Sequence, residues 1–477
     1  MQFVGREAEL DLLRQAFHSP RSELIPIYGR RRVGKSELIL KHMSDMPGVY
    51  YLGQQSSAAL QVREFLAEAA RALGMPLLAA LRTADWQPAL RTVTEQWTRA
   101  NPGKKLVLAL DEFQCIAASS PSLLSDLQRC WDRWLRDAGN VMLLLCGSYL
   151  GFMEREVLGS KSPLFGRRTA QIHLQPFGYR DAAQFHPHWP VADQARAYFL
   201  VGGLPHYLLC LDDSRSIEVN IQEQLLTEFA PLFHEPLLLL REELREIGPY
   251  QATLHAVASG RGTAPSIAAA TGLPERSLHY YLRQLTGLGY LRRRYPLDSR
   301  RPNPRRVRFE IDDPLLQFWF RFVFPNVSVI RSAGPERAFG DRIAPSLDSW
   351  FGGRFERLCR EALPLIYAQE GVAAGFEVGE YWSAAAQIDV VGMRDDNWTD
   401  LGECKWGRVR SPRALETELE RKRQQYPNSR GATLSRRYFT RRKPASRSEA
   451  AGWYSLDDLY ALGPQTAAAG SGPSRPA

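Results

Sequence analysis

The sequence predicts an α/β multidomain chain led by a parallel sheet, and three observations predict it. First, "IPIYGRRRVGKSELIL" sets G-x-x-x-x-G-K-S at Gly29 to Ser36, between an apolar strand-like run and a helical pattern. Second, apolar segments at about 24–29, 48–53, 105–111, 141–147 and 170–175 are mostly separated by helical ones, which implies parallel strands with helices on both faces. Third, from about Glu246 this alternation gives way to short helices and an arginine-rich hairpin, and new strands follow after Phe351. A length of 477 residues is more than one ordinary core uses.

Composition sets outer limits. A hydrophobic share of 44% and a charged share of 24% are those of a soluble globular protein. No apolar run approaches the roughly 18 residues of a membrane helix, so no membrane partner is expected. The opening "MQFVGREAELDLLRQ" is charged and amphipathic, unlike a secretory signal. Cysteines 115, 130, 146, 210, 359 and 404 form no C-x-x-C pair, which fits reduced thiols and predicts a cytoplasmic location.

The glycine-rich stretch is the expected holder of a nucleoside triphosphate. Across Gly29, Arg30, Arg31, Arg32, Val33, Gly34, Lys35 and Ser36, backbone N–H groups and a helix N-terminus point at the phosphates. Lys35 is expected to reach the β- and γ-phosphates and Ser36 to ligate Mg2+. Arg30 to Arg32 pair either with neighbouring acids or with DNA phosphate, and the sequence does not choose. "KKLVLALDEFQ" ends a buried strand in Asp111, placed to hold the Mg2+ shell, and Glu112, placed to orient or deprotonate the attacking water. "NVMLLLCGSYLG" ends a further strand at Ser148, where a hydroxyl can sense the γ-phosphate. An extra strand between the two motifs, with an acid pair, belongs to the additional-strand, catalytic-glutamate class of P-loop ATPases.

"FVGREAELDLL" before the loop, "SPLFGRRTAQIHLQPF" after the Ser148 strand and "VGGLPHYLL" at 201–209 resemble the archaeal-type ATPases related to AAA+ and STAND proteins, over roughly residues 1 to 240. The resemblance implies ATP as ligand, with Gly5, Arg6 and Glu7 near the adenine. It also implies that Arg167 or Arg168 approaches the phosphates, in one version from a neighbouring subunit of a homo-oligomer. The Gly203–Pro205 turn would lie against the nucleotide in a helical lid.

From about 246 to 309 the pattern reads as a winged helix-turn-helix. Pro265 and Pro274 sit where helices begin, and Gly272 and Gly287 where they end. Leu278, Leu282 and Leu285 recur at helical spacing and should face inward. Arg276, Ser277, His279, Tyr280 and Arg283 then lie on other faces, open to a DNA groove. The hairpin "LRRRYPLDSRRPNPRRVRF" carries eight arginines against one aspartate and reads as a basic wing, with Arg300, Arg301, Arg305 and Arg306 as phosphate contacts. A second basic region runs from about Arg408 to Arg447, and a net charge of +9 agrees with a polyanionic partner.

Near the carboxyl end, "FGGRFERLCREALPLI" reads as an amphipathic helix carrying Glu356. Strands with Asp389 and with Glu403 and Lys405 follow, separated by a turn at about 394–399. Positions 403 and 405 project to one side of a strand, and Asp389 on the adjacent strand can join them. Asp389, Glu403 and, from the helix, Glu356 can ligate Mg2+ or Mn2+, while Lys405 orients water or neutralises charge on a phosphorane. This stretch resembles the PD-(D/E)XK, restriction-endonuclease-like fold, and also the uncharacterised C-terminal domain of archaeal-type ATPases. Gln387 stands where many relatives would carry an acid, which puts one metal contact in doubt. Cys404 is expected to be a small buried residue on the opposite strand face.

The expected order is a P-loop ATPase core (1–180), a helical lid (181–243), a winged helix (244–309), a bridging segment (310–350), a nuclease-like domain (351–460) and a disordered tail (461–477). The function it predicts is ATP binding, with hydrolysis, coupled to DNA, and a nuclease-like last domain that either cleaves with a metal ion or serves as a DNA-binding or assembly module. A nucleotide-gated transcriptional regulator and a STAND-like assembly switch are the rival readings.

Overall fold

The computed structural model describes residues 3–299, 301 and 303–463. Arg300, one of the expected wing contacts, and most of the tail expected over 461–477 lie outside the described residues. The chain divides into two units: Met1–Pro176 with Leu204–His206, and Phe177–Gly203 with Tyr207–Ala477.

In the first unit, β1 (Glu23–Tyr28), β2 (Gly48–Leu52), β3 (Leu106–Asp111), β4 (Val141–Gly147) and β5 (Ile172–His173) pair in parallel in the order β2-β3-β4-β1-β5. β1, β3 and β4 are buried along their whole length, which is why they read as unbroken apolar runs rather than alternating ones. The strand expected over 170–175 is only two residues long, because β1 offers it pairing at Ile27 and Tyr28 alone. β4 lies between β1 and β3, so the strand ending in Ser148 separates the glycine-rich loop from the acid pair.

Helices α1 (Glu7–His18), α2 (Lys35–Met43), α3 (Ala58–Leu73), α4 (Trp86–Ala100) and α5 (Phe113–Ser119) complete the frame. Ser57 caps α3 by accepting from Leu60 N–H, and Gln61, Val62, Phe65, Leu66 and Ala69 form its buried stripe. That stripe and Trp86, Leu90 and Val93 of α4 share one core with Leu108, Leu143 and Phe113. Burying each large side chain contributes about 1.5–3 kcal/mol, enough to hold the strand ends in fixed register beneath the loop.

The helices of the second unit include α6 (Val191–Val201) and α7 (Pro231–Glu243). Three helices follow, α8 (Gly248–Ala258), α9 (Ala264–Thr271) and α10 (Glu275–Gly287), and then the antiparallel hairpin of β6 (Leu291–Arg294) and β7 (Arg308–Ile311). Thr263 and Ser266 form a capping box at the start of α9, and Gly272 ends it. Leu278, Leu282 and Leu285 are the buried residues of α10.

α11 (Ala344–Gln369) starts seven residues before the helix expected from Phe351, with Pro345 in its first turn. After it come β8 (Phe376–Trp382), β9 (Gln387–Arg394) and β10 (Trp398–Lys405), then α12 (Pro412–Gln425), β11 (Thr433–Thr440), β12 (Trp453–Ser455) and α13 (Leu456–Ala461). The sheet runs β12-β11-β10-β9-β8. Its first three strands in sequence are antiparallel, and β10, β11 and β12 are parallel. Parallel pairing of β10 with β11 needs a long crossover, and α12 supplies it. Among the described residues no helix is long and apolar enough to cross a membrane.

Candidate functional site

The glycine-rich loop closes over the end of β1. A Cβ on Gly29 would stand 2.3 Å from the Leu174 carbonyl oxygen, so only glycine fits there. Gly34 has φ +91°, a conformation that glycine adopts without penalty, and it is the residue from which α2 starts. Lys35 is buried, and its Nζ donates to the carbonyls of Gly29 at 3.0 Å and Arg30 at 2.9 Å. Burial lowers its pKa, while Glu112 and Asp111 oppose that shift. The ammonium is thus folded onto its own loop.

Asp111 is fully buried and accepts three hydrogen bonds. Its Oδ2 accepts from Ser36 Oγ at 2.5 Å and from the Tyr50 hydroxyl at 2.6 Å, and Oδ1 accepts from Glu112 N–H at 2.8 Å. Burial and the hydrogen bond to Asp111 raise the Tyr50 pKa, which keeps that hydroxyl a donor. Glu112 sits in a left-handed conformation with φ 47°. Its Oε2 accepts from Ser148 Oγ at 3.0 Å and from Gln114 Nε2, which also reaches Ser148 at 3.0 Å. Ser36, Asp111, Glu112 and Ser148 are therefore linked, directly or through their neighbours, at the carboxyl ends of β1, β3 and β4. Tyr50 and Gln114 are additions that sequence reasoning missed. Gln114 lies in the same "DEFQ" run and was open to notice, whereas Tyr50 is one residue of an unremarkable strand.

Other expected nucleotide contacts fall less evenly. Arg6 Nη2 donates to the carbonyls of Val33 at 3.2 Å and Gln175 at 2.7 Å, tying the amino-terminal segment to the loop. Pro205 comes within 3.7 Å of where a Cβ on Gly34 would stand. Arg167 makes a two-pronged pair with Asp132, at 2.9 and 2.7 Å, and donates to the carbonyls of Pro163 and Phe165. Arg168 donates to the Leu158 carbonyl at 3.2 Å. Arg31 is exposed, and Arg30 and Arg32 are half-buried.

The second unit gathers the C-terminal acids. Asp389 on β9 and Glu403 on β10 are buried, and the register that sets Val390 against Gly402 brings them level. Asp389 Oδ2 accepts from Cys404 N–H at 3.0 Å. Arg360 of α11 donates to the Asp389 carbonyl at 2.6 Å. Glu403 Oε1 accepts from Lys405 Nζ at 3.1 Å, and its Oε2 from Lys422 Nζ at 2.6 Å. Burial, then the charge of Glu356, raises Asp389 to about 6. Glu403 is raised by burial and by Asp389, and Glu356 by burial with Glu403 adding to it.

Glu356 reaches this group from a different layer. Leu401 packs with Leu415 and Leu419 of α12, so Glu403, two residues on, faces α12. Cys404 is buried and faces α11 through Cys359. Glu356 is carried by α11 on that opposite face. Three carboxylates suit a hard divalent cation by chemistry, but among the described residues no three His, Cys, Asp or Glu converge as ready ligands. Ammonium groups hold both Glu403 oxygens instead.

The arginines of the β6–β7 hairpin divide into two sets. Arg292 pairs with Glu310 at 2.6 Å, Arg354 of α11 with the same carboxylate at 2.8 Å, and Arg294 with Glu380 of β8. Arg306 pairs with Asp298 and donates to the Trp382 carbonyl, and Arg308 lies 4.7 Å over the Trp382 ring. Arg293, Arg301 and Arg305 are exposed. Leu297 N–H donates to the Glu380 carbonyl at 2.7 Å, so the hairpin lies along β8. Arg306, expected as a phosphate contact, is thus engaged inside the unit. On α10, Arg276, Ser277, His279, Tyr280 and Arg283 are all exposed. In the second basic region Arg437 is buried against Asp400 and Glu370, whereas Arg408, Arg410, Arg413 and Arg421 are exposed.

Comparison with known proteins agrees with the first unit. Residues 3–211 match the family model of an ATPase domain predominantly from Archaea, and residues 319–418 match a model described as archaeal bacterial proteins of unknown function. The chain is 27% identical over 412 residues to an uncharacterized protein of Methanocaldococcus jannaschii, covering 85% of this chain and 87% of the relative. It is 42% identical over 45 residues to an uncharacterized ATP-binding protein of the same organism, covering 9% of this chain and 76% of that protein. A Walker-type ATPase of Pyrococcus abyssi superposes with a TM-score of 0.50 at 19% identity, covering 67% of this chain and 96% of that one, a likeness of fold.

Proposed function

We propose that this chain is an ATP-hydrolysing, DNA-binding protein whose C-terminal sheet carries a metal-dependent phosphodiester-cleaving centre. An archaeal-type ATPase domain leads the chain. The single observation that carries the ATPase reading is the convergence of Lys35, Ser36, Asp111, Glu112 and Ser148 at three adjacent strand ends. Lys35 leaves the Gly29 and Arg30 carbonyls to meet the β- and γ-phosphates. Ser36 and Asp111 are already paired at 2.5 Å and form the seat of a cation. Mg2+ held there would neutralise charge on the phosphate oxygens. Glu112, held by Ser148 and Gln114, polarises the attacking water, and Ser148 reports the γ-phosphate to that carboxylate. Isothermal titration with ATP and magnesium tests this. Wild-type binding that Lys35→Ala abolishes supports it, and no binding by the wild type removes it.

DNA is the proposed partner of the winged helix-turn-helix. The exposed face of α10 and the exposed Arg293, Arg301 and Arg305 support that reading, since a duplex backbone attracts such side chains and releases counterions to them. In the C-terminal centre, Asp389, Glu403 and Glu356 would hold Mg2+ or Mn2+, which lowers the pKa of a water and stabilises charge on phosphorus. Lys405, at 41% side-chain exposure, is the ammonium placed to meet a phosphodiester. Plasmid nicking with Mg2+ or Mn2+, lost in Asp389→Ala, tests this part separately.

A second reading, a nucleotide-gated switch without cleavage, is favoured by one observation: both oxygens of Glu403 are held by lysines. A homo-oligomer in which an arginine of the 167–168 pair serves a neighbouring nucleotide also fits that reading. ATP binding without nicking in either metal distinguishes it.

A further inference from the structure

Lys422 has no place in the motif that marked Asp389, Glu403 and Lys405. It lies on the crossover helix α12, nineteen positions after Glu403. Its side chain is 10% exposed, its ammonium is 2.6 Å from Glu403 Oε2, and Glu403 is 2% exposed. A lysine is an ammonium at neutral pH, and at this distance it is the counter-ion of the buried carboxylate.

The neighbouring contacts give the lysine a second position. Glu418, one helical turn earlier, has Oε1 3.3 Å from the same Nζ, and its side chain is 40% exposed. Lys405 bridges the same two carboxylates from outside, 3.1 Å from Glu403 and 3.8 Å from Glu418. Glu403 and Glu418 are therefore matched by Lys405 and Lys422. These two carboxylates and two ammonium groups balance before any metal enters. A divalent cation cannot share Glu403 Oε2 with an ammonium at contact distance, because the two positive charges repel in a site screened from water. It has to displace the ammonium, and Glu418 stands ready to receive it.

We propose that Lys422 is the resting cation of the C-terminal centre: its ammonium holds Glu403 until a divalent metal ion takes that position, and then moves to Glu418. This rests on reading the centre as a divalent-cation site. It accounts for buried carboxylates that are not arranged as ready ligands, and it separates the two lysines, with Lys405 outward to substrate and Lys422 inward as counter-ion.

The test is Mn2+ binding by the full chain without nucleotide, followed by calorimetry, with Glu403→Gln as the baseline for unrelated sites. Lys422→Met is expected to bind Mn2+ at least tenfold more tightly than the wild type. Glu418→Gln is expected to bind it more weakly, having removed the lysine's alternative partner. Thermal melting checks that each variant is folded. The wild type gives a readout free of substitution: acylation of Lys422 Nζ, located by peptide mass, should rise when Mg2+ replaces EDTA. Unchanged Mn2+ affinity in Lys422→Met, or Lys422 acylation indifferent to Mg2+, overturns the proposal. If that happens while plasmid nicking persists, the nuclease reading survives alone. If the expected Mn2+ and acylation changes appear without nicking, the proposal survives and cleavage falls. No Mn2+ binding by either the wild type or Lys422→Met removes both.

Discussion

Ser148 Oγ donates to Glu112 Oε2 across 3.0 Å, joining the end of β4 to the turn after β3. The hydroxyl expected to sense phosphate and the carboxylate expected to activate water are one hydrogen-bonded unit, with Gln114 touching both. Glu112→Gln should lower kcat for ATP hydrolysis by about 10²–10⁴-fold and leave ATP affinity within a few-fold. Ser148→Ala should lower kcat by about tenfold, with KM nearly unchanged, since the hydroxyl acts through the general base. Steady-state kinetics at saturating magnesium decide this. An equal rise in KM with kcat intact would place Ser148 in binding instead.

Tyr50 shares Asp111 Oδ2 with Ser36. Removing its hydroxyl takes one of the two hydrogen bonds from Oδ2, which should weaken the magnesium seat and spare phosphate recognition. Tyr50→Phe is therefore expected to need several-fold more Mg2+ for half-maximal turnover, with ATP affinity in EDTA unchanged. A magnesium titration of both proteins checks it.

The two sets of hairpin arginines should separate by experiment. Replacing exposed Arg293, Arg301 and Arg305 with alanine should lower the slope of log affinity for DNA against log salt by roughly one for each phosphate that is no longer neutralised. Arg294→Ala leaves buried Glu380 with only Arg360, 3.7 Å away, and should destabilise the second unit by about 1–3 kcal/mol. Fluorescence anisotropy over a salt series and chemical denaturation read the two effects.

Asp389 titrates near 6 in the folded chain against an ordinary 3.8, with burial as the main cause. An acid whose folded pKa is raised takes up its proton first in the folded state, so this group adds stability as pH falls from about 6 toward 4. Above 6 it is ionised and the fold bears the penalty of burying it. Asp389→Asn should accordingly be more stable than the wild type at pH 7 in the absence of metal, and the difference should shrink toward pH 4. Urea melts at several pH values measure this, and a gap that widens on acidification would contradict it.

The first unit was legible because its strands and loop are written locally. Buried parallel strands are apolar runs, and the loop needs glycine at the places where backbone approach and left-handed φ demand it. Asp111, Glu112 and Ser148 each end such a run, so sheet geometry alone brings them together. Leu278, Leu282 and Leu285 gave the inward face of α10 by spacing in the same way. The hairpin arginines were harder: a basic run looks identical whether its partners are phosphates or distant carboxylates. Arg294 meets Glu380 eighty-six residues on, and Arg292 meets a glutamate also gripped by Arg354. Lys422 was invisible for a similar reason, since only the crossover between β10 and β11 carries it back to Glu403. Asp389, Glu403 and Lys405 were found because they lie on neighbouring strands at two-residue spacing. Glu356 sits on a helix, and nothing in its spacing says which face of the sheet that helix will cover.

The hairpin backbone that hydrogen-bonds Glu380 also sits against the middle of β8, the edge strand of the C-terminal sheet. An uncovered terminal strand offers its peptide groups to any other chain that arrives, and proteins commonly shield such borders against self-association. If gripping a duplex pulled the hairpin off β8, the liberated border would be open to a second molecule. Clustering or fibre growth on nucleic acid would then report that the hairpin had left its seat.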